Sequence, residues 1–266
     1  LREGNQLQIY IPAVYKLPNE PLIFTDSQNH TSSITKIDIL EAEDLLVTAS
    51  LDKTVKVFDL NTGQMIKTLY PPFRMEKDGQ ILSCSISPST KDIVCSVWLD
   101  VFKEDAVFYV FDYETATIKH TVKIPNISHH MQFSRDGKYL VVSLSLGHGI
   151  HLYDGRTFEL LDHTNFNWDA TSYWCDINLD GNRIITGSQS GGLYLYGIED
   201  NKLVLMKHEE RYCGDVIYNT IFSNDGEKIA VSFIDEIRNR IEVLSSETLK
   251  RLYNLNTSGI RENLFS

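Results

Sequence analysis

Apolar and polar positions alternate in short runs along the chain, and turn signals join the runs in pairs. Asp136-Gly137, Asp180-Gly181 and Asp225-Gly226 each lie between two such runs, at spacings of 44 and 45 residues. Glycine takes the positive φ that a tight turn needs and aspartate tolerates the neighbouring position, so each pair reads as the link between two antiparallel strands. Upstream, Glu43-Asp44 and Thr90-Lys91 hold the same place with weaker turn chemistry. A β-rich run follows each turn, at 45–50, 93–98, 139–144, 184–187 and 229–233. The next run ends in Phe58-Asp59, Phe111-Asp112, Tyr153-Asp154, Tyr196-Gly197 or Val243-Leu244, and a last one, such as 64–69 or 249–255, comes after a further turn. Counting the run ahead of each turn, the pattern predicts four strands per unit and an internal repeat of about 44 residues, the kind of period that builds stacked or ring-shaped arrays.

In the first unit, Ser50-x-Asp52-x-Thr54-Val55-x-Val57-Phe58-Asp59 resembles the ending of the WD40 repeat with Phe in place of Trp, and Asn29-His30 stands where that family has Gly-His. The resemblance extends over nearly the whole chain and implies an all-β fold, a β-propeller of four-stranded antiparallel blades. It implies as well that His30, Ser50 and Asp52 belong to a hydrogen-bonded structural tetrad in which His30 links to Asp52 and Ser50, Phe58 being unable to donate the fourth bond. Later units depart from the pattern: Gly147 and Ser190 stand where the tetrad Asp would be, and Gly197 replaces the Asp of the closing pair. The expected organisation is one domain over 1–266, with repeats at 30–73, 79–124, 126–166, 170–208 and 214–256, a partial blade at 1–25 and the start of a further one at 257–266. Those ends supply three strands at most, so the expectation is a six-bladed ring with an incomplete closing blade, or a piece of a seven-bladed or longer propeller.

Composition then narrows the function classes. Hydrophobic residues make up 42 % and charged residues 23 % of 266 residues, which suits a chain with a packed core. The formal charge of −11 argues against a broad attraction to nucleic-acid phosphates, and no apolar stretch reaches the roughly 20 residues that a membrane-spanning helix needs. Cys84, Cys95, Cys175 and Cys213 lack CxxC spacing and read as free thiols, three of them in apolar strands, which favours a reducing compartment, cytoplasm or nucleus. The N-X-S/T triplets at Asn29, Asn126 and Asn256 carry weight only in a secreted chain.

Most of the 28 aromatic residues fall on strands, where packing accounts for them. By the family's pattern, loops entering each first strand and loops between each second and third strand converge around the mouth of a central channel. Phe73, Arg74, Phe102, Phe166, Trp168, Arg211 and Tyr212 fall in those loops and are the side-chain types that anchor interfaces, so they are the expected partner-binding residues. The longer loop at 101–105 suits a shaped binding face, whereas the mixed charges at 235–240 suit local pairing. His129 and His130 are adjacent on a strand and point to opposite faces, and His148 and His151 have no Cys or carboxylate pattern beside them, so no metal or cofactor is expected. His129 occupies the register position of Tyr173 and Tyr218, an ordinary inward place.

No hydrolase elbow, phosphate loop or zinc-helix motif is present. The sequence therefore reads as a noncatalytic scaffold that binds a protein or peptide partner, one with a basic segment given the acidic balance. Two alternatives stay open: a propeller hydrolase or lyase with Asp78, Asp169 and Asp215 at the channel mouth, and a recruitment module of a larger enzyme.

Overall fold

The computed structural model describes residues 29–73, 78–98, 106–166, 170–210, 216–234 and 240–255. Within them the chain forms five four-stranded antiparallel sheets, each ordered as its strands occur in sequence. Blade 1 comprises β1 (Ile34–Leu40), β2 (Leu45–Ser50), β3 (Val55–Asp59) and β4 (Met65–Leu69). Blade 2 is β5 (Ile81–Ile86), β6 (Ile93–Val97), β7 (Ala106–Phe111) and β8 (Ile118–Ile124). Blade 3 contains β9 (Ser128–Phe133), β10 (Tyr139–Leu144), β11 (Ile150–Asp154) and β12 (Leu160–His163). Blade 4 contains β13 (Cys175–Ile177), β14 (Arg183–Gly187), β15 (Leu193–Glu199) and β16 (Lys202–Glu209). Blade 5 runs through β17 (Val216–Phe222), β18 (Lys228–Ile234), β19 (Arg240–Ser245) and β20 (Arg251–Leu255). Every strand expected after a hairpin signal is found within a residue or so of its place, and the fold is that of a β-propeller.

The hairpin turns follow from their residues. In blades 3 and 5 a serine and an aspartate brace one loop: the Asp136 carboxylate accepts the Ser134 hydroxyl at 2.6 Å and the Lys138 N–H at 3.0 Å, and Asp225 repeats this with Ser223 and Glu227. Gly137, Gly181 and Gly226 all sit at φ +69°, and in blades 1 and 2 Asp44 and Lys91 take the same left-handed region at φ 53° and 61° without the freedom of glycine. On the same end of the blades, Asp59, Asp112 and Asp154 cap the outer turns, each accepting the N–H of the threonine three residues on.

Each hydrophobic cluster lies between two consecutive blades. In β6, Ile93, Cys95 and Val97 pack towards blade 1 while Val94 packs towards blade 3. A strand buried on both sides needs apolar residues at nearly every position, which is why the second strands read as almost continuous apolar runs. Cys84, Cys95 and Cys175 are free and buried, as the sequence suggested, and burial pushes their thiols well up.

The inner strands are stitched from one blade to the next. Asp38 accepts the Ser85 hydroxyl at 2.5 Å and the Ile86 N–H at 2.9 Å, Ser83 and Ser85 accept the N–H groups of Met131 and Phe133, and Asp176 accepts the Phe222 N–H at 2.7 Å. Among the described residues, Ile37 and Ile39 on blade 1 are 52 % and 47 % exposed, whereas the residues in their register positions, Cys84 and Ile86, are buried under blade 1 itself.

Candidate functional site

The inner strands carry a repeated irregularity at one end. A register shift leaves Thr35, Leu82, His129 and Tyr218 as the unpaired residue of β1, β5, β9 and β17, and Tyr173 stands at the corresponding place two residues ahead of Cys175. A bulge turns its side chain away from the alternation of the strand, here into the mouth of the channel. In three consecutive blades that side chain is aromatic. His129 meets Tyr173 edge to face at 5.1 Å, and Tyr173 stacks on Tyr218 at 5.3 Å, which makes an arc across three blades. His129 Nε2 lies 2.8 Å from the Ser145 hydroxyl, and burial lowers its pKa to about 4, so this ring is uncharged at neutral pH. The repeat pattern puts these three residues in one register position, and the ring contacts, with bulges at His129 and Tyr218, join them into one arc.

Of the loop residues read from the sequence as anchors, the structure describes two. Phe73 is 50 % exposed at the same end of the blades, with Lys53 Nζ 4.1 Å above its ring. Phe166 is only 9 % exposed: it stacks on Tyr194 at 4.3 Å, and Tyr194 stacks on His208 at 4.2 Å, so its ring fills a gap beside blade 4 and does not project as an anchor. Arg74, Phe102, Trp168, Arg211 and Tyr212 lie outside the described residues. Two exposed side chains that sequence reasoning passed over join the rim, Trp98 at the end of β6 and Leu146 after β10. Both lie beside strands whose apolar pattern looked like core, and only the course of the backbone shows that they lead outward.

The tetrad forms with a change of member. His30 Nδ1 lies 2.8 Å from Asp52 Oδ2 as expected, but its Nε2 lies 2.7 Å from the Thr48 hydroxyl, while Ser50 donates to the Ser32 carbonyl at 3.2 Å and accepts the Asp52 N–H at 3.1 Å. Thr48 takes the place given to Ser50 because it sits two residues back on the same face of β2, where the imidazole reaches. Burial pulls the Asp52 carboxyl up, yet the Thr54 hydroxyl, the Thr31 N–H and His30 outweigh it and hold it below the usual range. These residues tie the entering loop to blade 1. Of the three carboxylates considered for hydrolysis, Asp78 is buried, and Asp169 and Asp215 lie outside the described residues.

Residues 21–59 match the WD domain, G-beta repeat. The chain is 24 % identical over 226 residues to autophagy-related protein 16 of Arabidopsis thaliana, an alignment covering 81 % of this chain and 39 % of that protein. Its fold matches the crystal structure of the Cps50 (Swd1) β-propeller domain of Myceliophteria thermophila with a TM-score of 0.70 at 13 % identity, over 86 % of this chain and 75 % of the other. The five four-stranded sheets agree with that structural likeness: the fold is a β-propeller, and its first unit resembles a WD40 repeat.

Proposed function

We propose that the chain is a noncatalytic platform that docks a protein or peptide partner at the channel mouth. The observation that carries this reading is the arc His129, Tyr173 and Tyr218. The fold does not require aromatic rings there, since blades 1 and 2 manage with Thr35 and Leu82 in the same position. Half-buried tyrosines on a rigid frame lose little freedom on binding and expose both an apolar face and a hydroxyl, the qualities of an interface anchor. Phe73, Trp98 and Leu146 extend the apolar rim. With a net charge of −11, the chain draws partners that carry a basic segment, and the attraction speeds encounter more than it tightens the complex, so added salt slows association. Buried thiols suit a reducing compartment, cytoplasm or nucleus. The likeness to an autophagy-related protein makes components of that process the first partners to try.

Photo-crosslinking tests the reading. Benzoylphenylalanine placed at Tyr218 should yield partner adducts, whereas the same group at Leu205 on the outer strand β16 should yield none. Tyr173→Ala combined with Tyr218→Ala should cut recovery of those adducts at least about tenfold, as loss of two hot-spot side chains does, without lowering the melting temperature by more than a few degrees. Equal adducts at both positions, or full recovery in the double variant, would refute docking at the mouth.

A further inference from the structure

One layer below the arc, the inner strands contribute Lys36, Ser83, His130, Trp174 and Asn219. Lys36 leaves blade 1, passes blade 2, and places its Nζ 2.5 Å from His130 Nε2 and 3.4 Å from Gln132 Oε1 on blade 3. The same ammonium stands 4.4 Å from the centre of the Trp174 ring on blade 4. His130 lies nearly flat on Trp174, with centroids 3.7 Å apart and planes at 24°, and its Nδ1 is 3.7 Å from Cys175 Sγ. One side chain thus touches three blades through the channel. Burial lowers the pKa of Lys36, but while it is protonated it only donates, and His130 Nε2 then accepts, which leaves the ring as the neutral Nδ1–H tautomer.

His130 and Trp174 are the chain neighbours of His129 and Tyr173, the two rings that bridge blades 3 and 4 in the arc. We propose that Lys36 is the positioning residue of the arc: by clamping His130 against Trp174 it sets the separation of His129 and Tyr173, and so keeps the arc continuous across the joint between blades. The inference concerns the site of the docking reading, but the geometry and its test need no partner.

The clamp also carries a condition. A proton on His130 Nε2 would set two cations 2.5 Å apart, so the arrangement requires a neutral imidazole. Burial first, and the charge of Lys36 second, keep His130 unprotonated well below the ordinary histidine range. The other groups that act on Lys36 are Asp38 on its own strand, Cys84 on β5, and Cys175 and Asp176 on β13. None of these carboxylates is within ion-pair distance of Lys36 among the described residues.

NMR of the whole chain tests the proposal, with imidazole 1H–15N correlations and tyrosine ring shifts as readouts. Lys36→Met keeps the apolar stem and removes the donors, and Lys36→Arg restores charge and donors. In Lys36→Met the single His130 tautomer should give way to a mixture, the ring resonances of His129, Tyr173 and Tyr218 should move together, and His130 should titrate at higher pH than in the parent chain. Lys36→Arg should return the ring resonances towards their original positions, and acidifying the unmodified chain through the His130 titration should reproduce the Met spectrum. Ring resonances that stay in place in Lys36→Met would overturn the proposal, leaving Lys36 a cross-tie with no hold on the arc. Should that variant fail to fold, arc resonances that remain still while His130 titrates in the unmodified chain overturn it equally. Failure of the crosslinking experiment leaves these spectra untouched, so the docking reading and the positioning role fail separately.

Discussion

Ala116 and Phe158 occupy one position of the repeated outer turn, at φ 56° and 60°, where blade 1 has Gly63 at φ 69°. A side chain in the left-handed region costs about 1–2 kcal/mol, and glycine relieves that cost while adding freedom to the unfolded chain. Ala116 has only a methyl group to lose, so Ala116→Gly should raise stability by about 0.5–1 kcal/mol in urea denaturation. Phe158 is in the same strained place, but its ring is buried in the cluster between blades 2 and 3. Phe158→Gly should therefore destabilise by several kcal/mol despite the relief, since deletion of a buried aromatic ring costs about 3–5 kcal/mol. The turn ahead of each last strand was legible in the sequence. The positive φ was not, because neither Ala nor Phe advertises it.

At the scale of elements, the strands are held to their neighbours by two kinds of contact, apolar residues of consecutive sheets and single side chains that accept an N–H across the joint. Asp38 is the clearest of the second kind, and charged hydrogen bonds of this sort contribute about 1.5–3 kcal/mol. Asp38→Ala should accelerate hydrogen exchange of the Ile86 amide by tenfold or more while leaving the Phe222 amide, bonded to Asp176, unchanged. Equal acceleration at both amides would mean that the stitching is global. The sequence shows Asp38 and Asp176 in one register position and offers no sign of their role, because the acceptor and the N–H it serves are 46 to 48 residues apart. The strands were legible because alternation and turn chemistry act within a few residues; the bulges at His129 and Tyr218 were not, since a bulge is a relation between two strands.

For the molecule as a whole, the buried titratable groups pull in opposite directions with pH. Burial raises the Asp176 carboxyl to about 6, so its contribution to stability is present below its unfolded value and is lost as pH rises through 6. Burial lowers His129 and His151 to about 4, so theirs is present above the ordinary histidine value and is lost as pH falls towards 4. His130, held down by burial and Lys36, acts in the same direction, and three histidines set against one carboxylate make the chain lose stability on acidification from neutral pH. Asp176→Asn keeps an acceptor for the Phe222 N–H and removes the buried charge. The variant should be more stable than the parent above pH 7, by on the order of 2 kcal/mol, and the two should converge near pH 4. Thermal melts across that range check it; a variant less stable at every pH would show that the charge itself, through Lys36, is needed.

The sequence alone determined the blades: a repeat near 44 residues, Asp-Gly hairpins and alternating apolar runs act locally and need no partner from another part of the chain. It also placed His129, Tyr173 and Tyr218 in one register position. Tertiary structure decided what that position means, because the bulge, the contact between rings of three blades and the reach of Lys36 past blade 2 exist only once the sheets are arranged around an axis. It likewise exchanged Ser50 for Thr48 beside His30 and turned Phe166 inward onto Tyr194, choices made by distances between segments that are far apart along the chain.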